Sequence, residues 1–159
     1  MEGRCQCHHI KFTTPLPAPL KVYICHCTQC RAQSSSTYGL TAIFPTFTIP
    51  NPSEPAELPI AGTSSTEPPG IGTFTRTTLS GKKLECLFCR RCGVRLMHRP
   101  VGGEFLSVKA GCLVGFGREM VARAEHIWCG EAVVDIPERD GEGREVVRWE
   151  GEPDEGSLS

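Results

Sequence analysis

The sequence predicts an all-β protein organised around metal-binding cysteines. Three observations carry that prediction. Short apolar–polar alternations recur between proline and glycine punctuation. Helical patterning is confined to one stretch of about two turns. Most of the ten cysteines fall into tight clusters beside the alternating segments.

The elements follow in chain order. IKFTTP, residues 10–15, alternates in part and stops at a proline. LKVYICHC, residues 20–27, alternates and runs directly into a cysteine cluster. YGLTAIFPTFTIP, residues 38–50, is β-branched and aromatic, with Pro45 interrupting it. Residues 50–70 are rich in proline and serine and hold little to bury, so they read as a long surface loop with a short extended piece at Leu58–Ile60. IGTFTRTTL, the turn SGKK and LECLFC form a predicted hairpin, and VRLMHR, the turn PVGG and EFLSVKAG a second one. REMVARAE, residues 118–125, is the helix candidate. Val146–Trp149 reads as a last strand, followed by a frayed end over the final ten residues. No internal repeat is present. The expected organisation is one zinc-binding domain over residues 1–137 and an acidic, partly flexible tail over 138–159.

Composition narrows the function. A chain of 159 residues suits one domain. The formal net charge of −1 supplies no basic surplus for nucleic acid or anionic lipid, and 7% aromatic residues make a poor stacking platform. No apolar run approaches the roughly 20 residues that span a bilayer, and MEGRCQCHHIKF lacks the apolar core of a secretory signal. The expected location is therefore cytoplasmic. In a reducing compartment, ten cysteines point to metal ligation or redox chemistry rather than disulfides. Closely spaced C-x-C pairs also cross-link poorly to each other.

Three clusters stand out: Cys5 and Cys7 in GRCQC; Cys25, Cys27 and Cys30 in CHCTQC; Cys86, Cys89 and Cys92 in CLFCRRCG. CRRCG has the form of a zinc knuckle, in which a glycine permits the tight turn that aims backbone amides at the sulfurs. A closed structural site needs four ligands. Cys89 and Cys92 supply two, and either Cys5 and Cys7 or two cysteines of CHCTQC supply the rest. Pairing with Cys5 and Cys7 leaves Cys25, Cys27 and Cys30 as a three-thiolate site with an open position, the hallmark of zinc that does chemistry. Cys86 reads as a small buried hydrophobe, and Cys112 and Cys129 as core thiols. His26, squeezed between two cysteines, is not expected to be a ligand. His8 and His9 are expected at the surface or beside the ligands, and His98 and His126 in ordinary core or surface roles. Arg31 and the hydroxyls of Ser34, Ser35, Ser36 and Tyr38 follow the central cluster. They are candidates to bind a carboxylate or an oxyanion, or else simply form a polar loop.

GRCQCHHIKF, CHCTQCR, FCRRCG, VKAGCL and HIW together resemble, in order and spacing, the glutathione-dependent formaldehyde-activating enzyme family, which also includes centromere protein V. The resemblance covers residues 3–128. It implies an all-β fold of several small coiled antiparallel sheets around zinc sites, with few short helices, similar to a small Rab-binding exchange chaperone (Mss-four-like, or β-tent). It implies two zinc ions: a structural one on Cys5, Cys7, Cys89 and Cys92, and a catalytic one on Cys25, Cys27 and Cys30. Two departures stand near the clusters. Family members often carry a glycine where this chain has His8. They often carry a second basic residue and a glycine where it has Ala32 and Ser35.

The expected activity is that of a carbon–sulfur lyase, similar to S-hydroxymethylglutathione synthase, acting on glutathione or a glutathione adduct of a small electrophile, with glutathione as co-substrate. Expected partners are small molecules, with no nucleic acid and no membrane; a homodimer is left open. The rival readings are a non-catalytic zinc-binding interaction module and a thiol redox sensor.

Overall fold

Alternation and β-branching produce ten short strands and two short helices among the residues that the computed structural model describes, 1–50, 70–78 and 81–153. In chain order they are β1 (Glu2–Arg4), β2 (Lys11–Thr13), β3 (Lys21–Cys25), α1 (Thr28–Ser34), β4 (Gly39–Pro45), β5 (Ile71–Thr77), β6 (Lys83–Cys89), β7 (Arg95–Pro100), β8 (Phe105–Lys109), α2 (Arg118–Val121), β9 (Glu125–Ile127) and β10 (Arg148–Trp149). The chain is mostly β, as predicted. It divides into two compact units: Met1–Ala18 with Phe44–Val114, and Pro19–Ile43 with Gly115–Ser159.

In the first unit β1 pairs with β2, and β5 to β8 form an antiparallel meander. Both predicted hairpins are present, β5–β6 and β7–β8. Gly102, in the turn of the second, has φ +75°, a conformation open to glycine but strained for other residues. Two cross-strand pairs set a glycine under a phenylalanine ring. Gly3 lies opposite Phe12 and Gly72 opposite Phe88, and a Cβ on either glycine would sit 2.2–2.3 Å from the ring. Phe44, Ile10, Leu96, Met97, Leu106 and Val108 are wholly buried.

In the second unit the strand order is β10-β9-β3-β4. The expectation of antiparallel sheets is corrected here, because β9 runs parallel to β3 and β10 parallel to β9. A parallel neighbour needs a crossover connection, and β9 returns beside β3 only after about a hundred intervening residues. Buried Glu125 on β9 ion-pairs with Lys21 on β3 and accepts the Trp149 indole N–H at 2.9 Å. Two donors thus offset the desolvation of its carboxylate.

The helices differ from expectation. The 118–125 helix shrinks to the single turn Arg118–Val121, because none of its residues is buried to hold a second turn. Glu125 belongs to β9 instead. Conversely, residues 28–34 form α1, where the sequence suggested a polar loop. The predicted last strand is present only at Arg148–Trp149. The expected extended piece at Leu58–Ile60 and the terminal residues 154–159 lie outside the described residues. No helix among the described residues is long and apolar enough to cross a membrane.

Candidate functional site

The first unit gathers Cys5, Cys7, Cys89 and Cys92, with one sulfur from each within 4.8 Å of all the others. Cys5 and Cys7 come from the β1–β2 connection, and Cys89 ends β6. The Cys5–Cys7 sulfurs lie 3.5 Å apart and Cys7–Cys89 3.8 Å. Tetrahedral zinc with bonds of about 2.3 Å sets its thiolates about 3.8 Å apart, so the donor set fits zinc. Backbone amides are aimed at the sulfurs. The Ile10 N–H reaches Cys5 Sγ at 3.3 Å. The knuckle turns through Gly93 at φ +73°, with its N–H donated to the Cys89 carbonyl at 2.9 Å. Burial works to raise the Cys92 thiol, but N–H groups of Val94 and Cys7 and the neighbouring thiols outweigh it and bring it below its ordinary value. His8 has φ 58°, a left-handed position that this chain fills with a residue other than glycine.

The second unit gathers Cys25, Cys27 and Cys30. Cys25 ends β3, Cys27 caps α1 and Cys30 lies in its first turn. All three are at most 9% exposed. The Cys25 thiol donates to Cys27 Sγ at 3.4 Å, and the Cys30 N–H to the same sulfur at 3.3 Å. Cys27 is thus the sulfur that ionises first. Hydrogen bonds from Cys25 and Cys30 lead in holding it down to about 2, whereas Cys25, as donor to it, is pushed up. Gly39 lies opposite Cys25 in register, and a Cβ there would come within 3.0 Å of Cys30 Cβ, so the close approach of β4 to the cluster depends on glycine. The three-thiol set also fits zinc, with one position left to a non-protein ligand.

Ile127 and Trp128 pack against these thiols. His26 is not gathered with the sulfurs. It is wholly buried, its Nε2 is 2.9 Å from His126 Nδ1, and the two rings stack at 5.2 Å. Burial, followed by nearby Arg31 for His26 and by His26 for His126, holds both imidazoles below their ordinary range.

The candidate ligand-binding residues separate into two kinds. Arg31 lies on α1; its Nη2 donates to Thr28 Oγ1 at 3.3 Å, while its Nε is buried without a hydrogen-bond partner among the described residues. Ser34 turns its hydroxyl to backbone, with the Cys30 carbonyl at 2.7 Å and the Tyr38 carbonyl at 2.9 Å, so it closes the helix end. Ser35 is the left-handed C-cap at φ 50°. Tyr38 is 40% exposed and meets His26 edge-on at 6.0 Å. Cys86 and Cys112 are buried thiols as expected, whereas Cys129 is only partly buried, because it sits in a surface turn at Cys129–Glu131. Sequence reasoning missed Glu131. Its Oε2 accepts both the N–H of Thr28, at 2.8 Å, and its hydroxyl, at 2.6 Å, which ties that turn to the start of α1. It also missed the part played by Trp128, whose signal was its place at the end of the HIW motif.

A crystal structure of a Rhodobacter sphaeroides protein, a structural-genomics target, aligns over 79% of this chain and 99% of its own, with 16% identity and a TM-score of 0.48. A comparison with curated proteins finds no match. Residues 1–131 match the family model described as glutathione-dependent formaldehyde-activating enzyme. That span contains both thiol clusters, and the chain belongs to the glutathione-dependent formaldehyde-activating enzyme family.

Proposed function

We propose that the chain is a zinc-dependent carbon–sulfur lyase-type enzyme, similar to S-hydroxymethylglutathione synthase, that acts on glutathione or a glutathione adduct of a small electrophile. One observation carries this reading. Three buried thiols converge without a fourth protein donor gathered among the described residues, and the helix that carries Cys30 also carries Arg31, whose Nε is buried without a hydrogen-bond partner among the described residues. A zinc there would be held by Cys25, Cys27 and Cys30 and would lower the pKa of a thiol that takes the open position. Cys27, already favoured as thiolate, anchors the donor set, and Gly39 keeps β4 tight against Cys30. Arg31 is suited to one of the two carboxylates of glutathione. Ile127 and Trp128 cover the thiols with apolar surface, which strengthens polar interactions beneath it. The net reaction is addition of S–H across a carbonyl: sulfur bonds to carbon, the proton ends on oxygen, and nothing is oxidised.

The test is zinc content, by elemental analysis, of the wild type and of Cys27→Ser, followed by glutathione titration. Two zincs falling to about one with the circular dichroism unchanged, together with saturable glutathione binding lost in the variant, supports the proposal. One zinc in both proteins overturns it. It would then favour the interaction-module or thiol-redox readings.

A further inference from the structure

Trp128 is placed against the three thiols by a backbone conformation that works against its own side chain. β9 runs parallel to β3 with Ile127 in register with Cys25, so the residue after Ile127 emerges beside the cluster. There the chain turns left-handed, with φ 60° and ψ 44°. Glycine adopts that conformation freely, and a bulky residue rarely does. Contacts on both sides hold it. The Trp128 N–H donates to the Gly151 carbonyl at 3.2 Å, and the Trp128 carbonyl accepts the Glu131 N–H at 3.1 Å. Glu131 is itself clamped to Thr28, the first residue of the helix that carries Cys30. The turn is thus tied to the same short segment that supplies the sulfurs. Its indole packs on Cys25, Cys27 and Cys30 and keeps part of its surface open to solvent. The thiols beneath are almost wholly buried. Trp128 thus sets a flat aromatic side chain against the thiols.

We infer that Trp128 is a specificity-determining residue, whose indole receives the planar, unsaturated part of the electrophile carried on sulfur, so that the site prefers aromatic or conjugated carbonyl compounds to saturated ones of equal size. The inference rests on the sulfur-binding reading of the three-thiol site given above. A ring lying on the indole gains an aromatic contact beyond what area burial provides, and a saturated ring of the same carbon count does not.

The experiment uses the full chain with cobalt in place of zinc, whose thiolate charge-transfer absorption reports sulfur arriving at the metal whatever residue stands at 128. Three thiols stand in for the conjugate: benzyl mercaptan, cyclohexylmethanethiol and ethanethiol. Wild type and Trp128→Phe are expected to bind the benzyl thiol about fivefold more tightly than the cyclohexyl one. Trp128→Leu is expected to bring the two within about twofold, with a smaller loss for ethanethiol than for the benzyl thiol. Trp128→Gly, which suits the left-handed backbone, is expected to behave like Trp128→Leu and guards against misfolding of the leucine variant. A benzyl preference that survives in both variants overturns the inference, as does a parallel loss for all three thiols. Thiol binding to the wild type with no preference overturns the inference alone. A wild-type spectrum that no thiol perturbs overturns both this inference and the sulfur-binding proposal.

Discussion

The two thiol clusters use one kind of side chain and differ in what closes them. The four-thiol cluster joins segments far apart in sequence, with Cys7 and Cys89 separated by 82 residues, and its tetrahedron is complete from protein alone. A metal there closes a long loop and so opposes much of the unfolded chain's entropy. The three-thiol cluster draws its donors from six consecutive residues, Cys25 to Cys30, and its remaining side is apolar wall. Little loop entropy depends on it. The two clusters therefore differ in sequence separation and in donor number, four thiols against three.

The widest gap between the clusters should appear on ligand removal. Structural zinc contributes on the order of 10 kcal/mol at neutral pH in small zinc domains, so Cys89→Ser should abolish cooperative thermal unfolding followed by circular dichroism. Cys27→Ser should shift Tm by only a few degrees and lose one metal. Equal damage from both variants would break the comparison.

Next in size is Gly39→Ala. Its Cβ would approach Cys30 Cβ to 3.0 Å, so the variant should lose about 1–3 kcal/mol and release metal from the three-thiol cluster first in a chelator titration. Prior release from the four-thiol cluster would contradict the assignment.

Acid should weaken both units, since burial keeps histidine in each below its ordinary range. Burial, with Lys109, Arg95 and Arg76 nearby, holds His98 in the first unit down to about 2, against an ordinary value near 6.5. The unfolded chain therefore takes up the proton first as pH falls. Stability from this source is complete above pH 6.5 and declines from there towards pH 2, by about 1.4 kcal/mol per unit once below 6.5. Denaturant titrations at pH 7.5 and 5.5 should show a smaller pH-dependent loss for His98→Gln than for wild type. Equal slopes would remove His98 from the account.

The smallest effects concern the two strained turns. His8→Gly beside the four-thiol cluster and Ser35→Gly beside the three-thiol one each relieve a positive φ, and should each stabilise by roughly 0.5–1 kcal/mol in urea melts. If only one does, the backbone strain at the two clusters is unequal.

Local pattern was enough for much of this. The two hairpins follow from alternation interrupted by turn residues. The knuckle follows from CRRCG, and its glycine proves to be left-handed. Spacing marked the cysteine clusters but left two partner pairs open for the knuckle, and it was the family resemblance that implied the grouping into four and three, which the folded chain brings together. Helix α1 was not legible. TQCRAQS has only Cys30 to bury, and its start is fixed by the Cys27 cap and by Glu131, which lies over a hundred residues away. The parallel strand β9 is three residues long, too short a run for alternation to announce it.

What the local pattern settled, then, is β character, two hairpins and the clustering of metal-ready thiols, because turn chemistry and ligand spacing act over a few bonds. What the tertiary structure decided is everything that meets across long separations: His126 stacked on His26, Glu131 on Thr28, and Trp128 packed against the three thiols. Those contacts arise because β9 docks parallel to β3, a pairing that buries Glu125 against Lys21 and that no periodicity in either segment specifies.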